Sequence, residues 1–325
     1  MIEFSKESLL IDPKKETERL VAEMRRLVRV MKRGGGVLGV SGGIDSATVL
    51  GLAVRAFGAE RVVGLTLPER DSDPLSEELA HEVCAKFGVK PIREDIKDAL
   101  EGYGCYRRRD EAIKRVVPEY DADKGYKAKI VLPPNLLDED TLNVFSVVVI
   151  TPDGEEISKQ LPPAEYLQIV AASNFKQRTR MSMVYYHAEL KNYAVMGTAN
   201  KNEHDQGFFV KYGDGGSDMR VIGHLYKTQV YQLAEYLGVP ESIRTRTPTT
   251  DTYSAPCNQE EFFFRLPFKT MDMLWYAMEN KVPLAETAKV MGLTEKQVQR
   301  AFDDFTRKYR GTDYLRMQPV YMGED

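Results

Sequence analysis

Histidine, cysteine and tryptophan are scarce in this chain: four, three and one among 325 residues. The cysteines, Cys84, Cys105 and Cys257, are scattered and odd in number. They offer neither a metal-ligand spacing nor a disulfide framework, which suits a reducing cytoplasm. His187, His204 and His224 also lack ligand spacing and read as structural or loop residues. No apolar run is long enough to cross a bilayer, and the opening stretch MIEFSKESLLIDPKKETERL has no signal-peptide core. A large excess of charge is missing too. The net charge of -4 argues against a dedicated nucleic-acid binder. These absences point to a soluble cytoplasmic protein with neither membrane nor nucleic acid as partner.

Against that background one stretch stands out, GGGVLGVSGGIDSATVLGLAVRAFG (Gly34 to Gly58). Val37–Val40 reads as a buried strand, Ser41-Gly42-Gly43-Ile44-Asp45-Ser46 as a glycine-rich turn, and Ala47–Phe57 as an apolar helix. Such a unit presents backbone N–H groups and a helix dipole to an anion. No Lys follows the glycines, so it is not a Walker A loop, and the spacing is not that of a dinucleotide fingerprint. An acid, Asp45, stands where phosphate should sit. A carboxylate beside a triphosphate repels it unless a cation lies between them, so Asp45 implies a hard metal, most simply Mg²⁺ shared with ATP oxygens. Ser41 and Ser46 can donate to released pyrophosphate.

The surrounding pattern is that of an α/β protein. An amphipathic helix is expected over 12–32, with Leu20, Met24, Leu27, Val28 and Met31 at helical spacing. A second strand (Val62–Leu67), a helix over 76–87 and a third strand around 90–96 follow. Strands alternating with helices predict a doubly wound parallel sheet. The pattern breaks over about 103–163, which reads as an insertion. Within it, Phe145–Thr151 and Glu155–Leu161, joined through Pro-Asp-Gly, predict a β-hairpin. The α/β pattern resumes with a helix over 164–191, a strand over 193–197 and a helix ending at Gly238 and Pro240. From about 252 to 325 the chain reads as a helical extension of one domain spanning 1–325.

The string SGGIDS resembles the signature of the N-type ATP pyrophosphatases, which split ATP between its α- and β-phosphates to adenylate a substrate. Three later strings narrow the resemblance: SNFKQRTRM (Ser173–Met181), MGTANKNEHDQGFFVKYGDGGSD (Met196–Asp218) and LYKTQVYQLAEYLGVP (Leu225–Pro240). In that order they resemble the ammonia-dependent NAD synthetases over about 20–100 and 165–251. The resemblance implies an adenine nucleotide alpha-hydrolase-like fold, a homodimer, and amidation of nicotinic acid adenine dinucleotide to NAD through an acyl-adenylate. Asp45 and Glu203 would then bind Mg²⁺. The loop Gly39, Val40, Ser41, Gly42, Gly43, Ile44, Asp45 and Ser46 would hold the ATP phosphates. Thr198 and Thr249 would contact ATP, Lys227 would pair with its phosphates, and Asp45, Glu203 and Lys227 would form the catalytic set. Arg178, Lys211 and Asp218 would contact the acceptor. The chemistry of these types agrees with such roles: a second carboxylate for a bridging metal, point charges for phosphate, and a planar fork. Tyr185-Tyr186 and Phe208-Phe209 can stack on a nicotinate or adenine ring, or serve core or dimer packing.

Two features depart from the family. The insertion is longer than expected, and the C-terminal His-Lys pair that approaches the acceptor stands here as Arg307-Lys308, leaving Lys308 to keep the role. Both touch the acceptor side, so a related amide ligase acting on another carboxylate is an alternative reading. A second alternative is a nucleotide-sensing DNA-binding regulator. Residues 283–305 resemble a helix-turn-helix with Gly292 in the turn, against which stand Glu295, Asp303 and Asp304 on its second helix. With no room for an attached glutaminase, nitrogen is expected from free ammonia or a separate glutaminase subunit.

Overall fold

A computed structural model describes residues 4–133, 136–138, 144–250 and 252–323. The chain order is α1 (Pro13–Val30), β1 (Gly36–Gly39), α2 (Ile44–Phe57), β2 (Val62–Thr66), α3 (Pro74–Lys86), β3 (Ile92–Arg93), α4 (Lys97–Gly102) and α5 (Cys105–Val116). There follow β4 (Lys127–Val131), β5 (Ser146–Ile150), β6 (Glu156–Gln160), α6 (Pro163–Lys191), β7 (Ala194–Gly197), α7 (Lys201–Gln206) and β8 (Met219–Arg220). The remainder is helical: α8 (Lys227–Leu237), α9 (Glu241–Arg244), α10 (Phe268–Glu279), α11 (Leu284–Met291), α12 (Glu295–Gly311) and α13 (Asp313–Arg316).

The main sheet has the order β3-β2-β1-β7-β8, and every pairing in it is parallel. One face packs on α6 through Val37, Leu65, Val195, Val184 and Ala188. The other is covered by α1, α2, α3 and α8. Helix α2 is buried on nearly every side, as its unbroken apolar sequence requires. This is the doubly wound parallel sheet expected, with helices on both faces. The strand order puts β1 at the centre, between β2 and β7, so their C-terminal ends open one crevice.

Residues 103–163 hold the expected hairpin, β5 paired antiparallel with β6 in register Ser146↔Gln160 to Ile150↔Glu156. They also hold a third strand, β4, on the other side of β5. This small sheet buries Ala128, Ile130, Val147 and Val149 against Ala112 and Ile113 of α5 and Ile169 of α6. A buried ion network ties it to the main sheet. Lys176 Nζ on α6 donates to Glu69 Oε1 (2.9 Å), Asp71 Oδ2 (2.7 Å) and the Thr252 carbonyl (2.8 Å), and Arg109 of α5 donates to the same Asp71 carboxylate at 2.5 Å. The helix-turn-helix expected near the C-terminus is present as α11 and α12. Gly292 between them has φ +68°, and Ala288, Val298, Ala301 and Phe305 are buried against Trp275 of α10.

Candidate active site

The glycine-rich turn lies at the C-terminal end of β1, in the crevice of the parallel sheet. Gly42 has φ +74°, and a Cβ there would stand 2.3 Å from the Ser76 carbonyl. Only glycine fits at that close approach between the loop and α3. The two serines hold the turn shut. Ser46 Oγ donates to the Gly43 carbonyl (3.0 Å) and accepts from Ser41 N–H (3.2 Å). Gly43 caps α2 with no side chain, so the first N–H groups of that helix face the cavity.

Asp45 sits in the first turn of α2, where the helix dipole favours an anion. Its Oδ2 accepts from Lys227 Nζ and its Oδ1 from Asn200 Nδ2 at 3.2 Å. Asn200 also begins α7 through a reciprocal capping box with Glu203: Glu203 N–H donates to Asn200 Oδ1, and Asn200 N–H to Glu203 Oε2, both at 3.1 Å. One asparagine therefore fixes both carboxylates. Gln259 Nε2 donates to Glu203 Oε1 at 3.2 Å. Burial and the Asp45 charge raise Glu203 well above the ordinary carboxylate range, against the opposing pull of Lys227. Burial works against the charge of Lys227, but Asp45 and Glu203 outweigh it and raise its pKa. The result is two hard oxygen donors and a completely buried ammonium at the mouth of a helix dipole.

Asp272 of α10 aligns this cluster from behind. It is wholly buried, and it accepts from Asn202 Nδ2 and, at 2.7 Å, from Thr228 N–H. Burial pushes its carboxyl up to about 6. Asn202 in turn accepts from Lys227 N–H at 3.3 Å. Asp214 faces the cavity too, with its carboxyl raised to about 6 by burial.

Asp45, Glu203, Asp214, Lys227 and Gln259 line a cavity of about 760 Å³ that runs along α6. Every residue of the loop 39–46 faces it, with Thr198, Glu203, Lys227 and Thr249. Arg178 and Lys211 face it as well, with Arg178 Nε donating to the Lys211 carbonyl at 3.2 Å. Lys211 Nζ donates to the carbonyls of Tyr314 (2.9 Å) and Met317 (3.0 Å). Two expected acceptor residues are placed elsewhere. Asp218 is outside the cavity lining, where its carboxylate accepts from Val195 N–H (2.7 Å) and Tyr185 hydroxyl (3.1 Å). Lys308 is buried, donating to Asp304 Oδ2 (2.8 Å) and the Phe263 carbonyl (2.7 Å). Phe208 and Phe209 line the cavity, whereas Tyr186 is exposed on α6. Sequence reasoning passed over Asn200, Asp214, Gln259 and Asp272, and two arginines at the cavity wall, Arg180 and Arg246.

The NAD synthase family model matches residues 16–119 and 135–319. The NH(3)-dependent NAD(+) synthetase of Mesorhizobium japonicum is 49% identical over 321 residues, covering 98% of this chain and 100% of that protein. That of Rhizobium meliloti is 48% identical, covering 97% and 94%. Among solved structures, the NH3-dependent NAD synthetase from Campylobacter jejuni superposes with a TM-score of 0.62 at 23% identity, covering 96% of this chain and 100% of that one. The NMN synthetase from Francisella tularensis gives 0.61 at 20% identity, covering 97% and 100%. At those identities the two structures speak to the fold alone.

Proposed function

The chain belongs to the NAD synthase family, and from that premise we propose that it is an ammonia-dependent NAD synthetase. It uses ATP to amidate nicotinic acid adenine dinucleotide, releasing AMP and pyrophosphate. The observation that carries this reading is the arrangement of Asp45, Glu203 and Lys227 at the open end of α2, in one cavity with Arg178 and Lys211.

In this reading an oxygen of the acceptor carboxylate attacks the α-phosphorus of ATP, and the bond to pyrophosphate breaks. Attack crowds anions together, so neutralisation is the main catalytic need. The N–H groups of the loop and the hydroxyls of Ser41 and Ser46 hold the departing pyrophosphate. Lys227 leaves Asp45 to pair with phosphate, while Arg178 and Lys211 hold the phosphates of the acceptor. Asp45 and Glu203 fit Mg²⁺, which binds through one or two carboxylates plus phosphate and is satisfied by this pair of hard donors. When bound it supplies charge neutralisation at the phosphates. Ammonia then attacks the acyl carbonyl, the carbon–oxygen bond to AMP breaks, and the nitrogen loses a proton to solvent. Free ammonia serves as donor; a separate glutaminase subunit is the other source.

The protein is further proposed to act as a cytoplasmic homodimer, one unit in which the insertion is part of the enzyme. Exposed Tyr186 and Leu190 on α6 and Tyr212 beside it supply apolar area for a second copy. The three cysteines are free and buried, in keeping with a reducing compartment. Among the described residues no helix is long and apolar enough to cross a membrane.

The test is release of AMP and pyrophosphate from ATP and Mg²⁺ with ammonium and nicotinic acid adenine dinucleotide, reading NAD in the same tube. Stoichiometric NAD is expected. AMP without NAD, or no turnover until another carboxylate is supplied, would move the acceptor elsewhere.

A further inference from the structure

Ahead of β5 the insertion carries an aromatic ring shared between its own core and the cavity. Along β5 alternate side chains share a face, and Val147 and Val149 are completely buried on it. Phe145 precedes the strand, is half-buried at the margin of the same core, and lines the cavity. Its ring stacks on Tyr166 near the start of α6, with centroids 4.7 Å apart and planes 18° from parallel. It is 6.1 Å from Phe262, which is 5.5 Å from Phe208. All four rings border the cavity. The far end of this row meets the carboxylate pair: Phe208 N–H donates to the Glu203 carbonyl at 2.7 Å, and Gln259, three residues before Phe262, donates to the Glu203 side chain.

We infer that this row receives the pyridine ring of the acceptor, and that Phe145 is a specificity-determining residue supplied by the insertion. The inference rests on the function proposed above. The reacting carboxylate must reach a phosphorus atom held beside Asp45, so the ring bearing it lies about one ring's length from that centre. Phe208 is joined through its N–H to the Glu203 carbonyl, and Phe262 and Phe145 continue the apolar surface outward along the cavity. An electron-poor pyridine gains from an offset stack on such rings. The cavity is long enough for this division of labour. Its α6 wall runs from Tyr166 to Val184, about 27 Å at the helical rise, with Arg178 between the two ends to take phosphate.

The experiment is steady-state kinetics on the full chain with Phe145→Ala, Phe145→Leu and Phe145→Tyr, together with inhibition by nicotinic acid mononucleotide, which carries the pyridine ring without the second nucleoside. Loss of one stack should raise the KM for nicotinic acid adenine dinucleotide about tenfold in the Ala and Leu variants. Phe145→Tyr should restore it, with the KM for ATP and the Tm unchanged. The mononucleotide should compete with the dinucleotide and lose the same factor. The Leu variant keeps the apolar volume, so it reports on stacking even where Phe145→Ala does not fold. A KM within twofold of native in the Leu variant, or an equal rise for ATP, overturns the inference. So does a mononucleotide that does not inhibit, or inhibits every variant alike. Failure of the native enzyme to form NAD at all is a different result, and it sinks the proposed function itself.

Discussion

Replacing Asp45 with Asn is expected to tighten the binding of metal-free ATP while abolishing turnover. In the folded protein Asp45 occupies the place that a phosphate would take from the α2 dipole and the loop N–H groups, and its charge engages Lys227. Two unit charges about 5 Å apart interact by about 3 kcal/mol at an effective dielectric of about 20. The Asp45 side chain is 16% exposed and the cavity is open to solvent, so about half of that survives screening. That leaves about 1.5 kcal/mol, or about tenfold in Kd. Lys227, freed from its partner, adds to the gain. Calorimetric titration of ATP in EDTA should therefore show Asp45→Asn binding about ten times tighter than native. With Mg²⁺ the order should reverse, because only the native pair of carboxylates can use the metal, and the variant should release no AMP. Equal ATP affinity in EDTA, or a variant that keeps the full benefit of Mg²⁺, would refute the reasoning.

Four further outcomes are expected. Glu203, raised by burial and by Asp45, holds its proton more tightly than in an unfolded chain, so its contribution to metal-free stability is full below about pH 4.3 and is lost as pH rises through the raised value. Mg²⁺ with ATP should displace that proton near neutrality; titrations in buffers of different ionisation enthalpy should detect its release in native protein and lose it in Glu203→Gln, and identical release in both would remove Glu203 from the metal. Lys176→Met leaves Glu69 and Asp71 short of a buried partner and should cost about 3–5 kcal/mol by urea denaturation, whereas a loss under 1 kcal/mol would count against the network. The same network has an acid limit. Burial alone would raise Asp71, but Lys176 and Arg109 hold it well below the carboxylate range, so its stabilisation is present above about pH 3.9 and is lost on further acidification; amide exchange in α5 should accelerate there, and unchanged protection would contradict the assignment. Arg178→Ala should raise the KM for the acceptor at least fivefold with little change for ATP, and an effect confined to ATP would move Arg178 to the other end of the cavity.

The main sheet was legible because its strands are short apolar runs and its central unit is locally consistent: β1, a glycine turn, then α2, a helix apolar enough to be buried. What escaped was either very short or depended on distant partners. Strand β8 has two residues and, among the described residues, pairs through β7 alone. Strand β4, Lys-Ala-Lys-Ile-Val, carries two lysines, and its partner β5 begins 15 positions after β4 ends (146 minus 131). The spacing from Asn200 to Glu203 is a capping box readable from sequence, and it could have tied Glu203 to a helix start without any family likeness. Lys308 carried a signal against its expected role as well. Asp304 stands four residues before it on α12, a spacing that favours an intrahelical ion pair over a ligand contact. Asp272 could not be found that way. Its partners Asn202 and Thr228 are brought to it by tertiary packing alone.

The bonds from Lys211 to the carbonyls of Tyr314 and Met317 bear on how the enzyme comes into being. Gly207, at the end of α7, has φ +77°, and a Cβ there would stand 2.2 Å from Thr312. Thr312 and Leu315 line the cavity that the loop 39–46 opens, and the carbonyls of Tyr314 and Met317 hold Lys211. On the ribosome the nucleotide loop is therefore made early, while the wall opposite waits for some of the latest residues to emerge. A nascent chain would hold half a pocket through most of its synthesis. Ribosome-stalled chains lacking α12 and α13 should meet ATP before they can meet the acceptor.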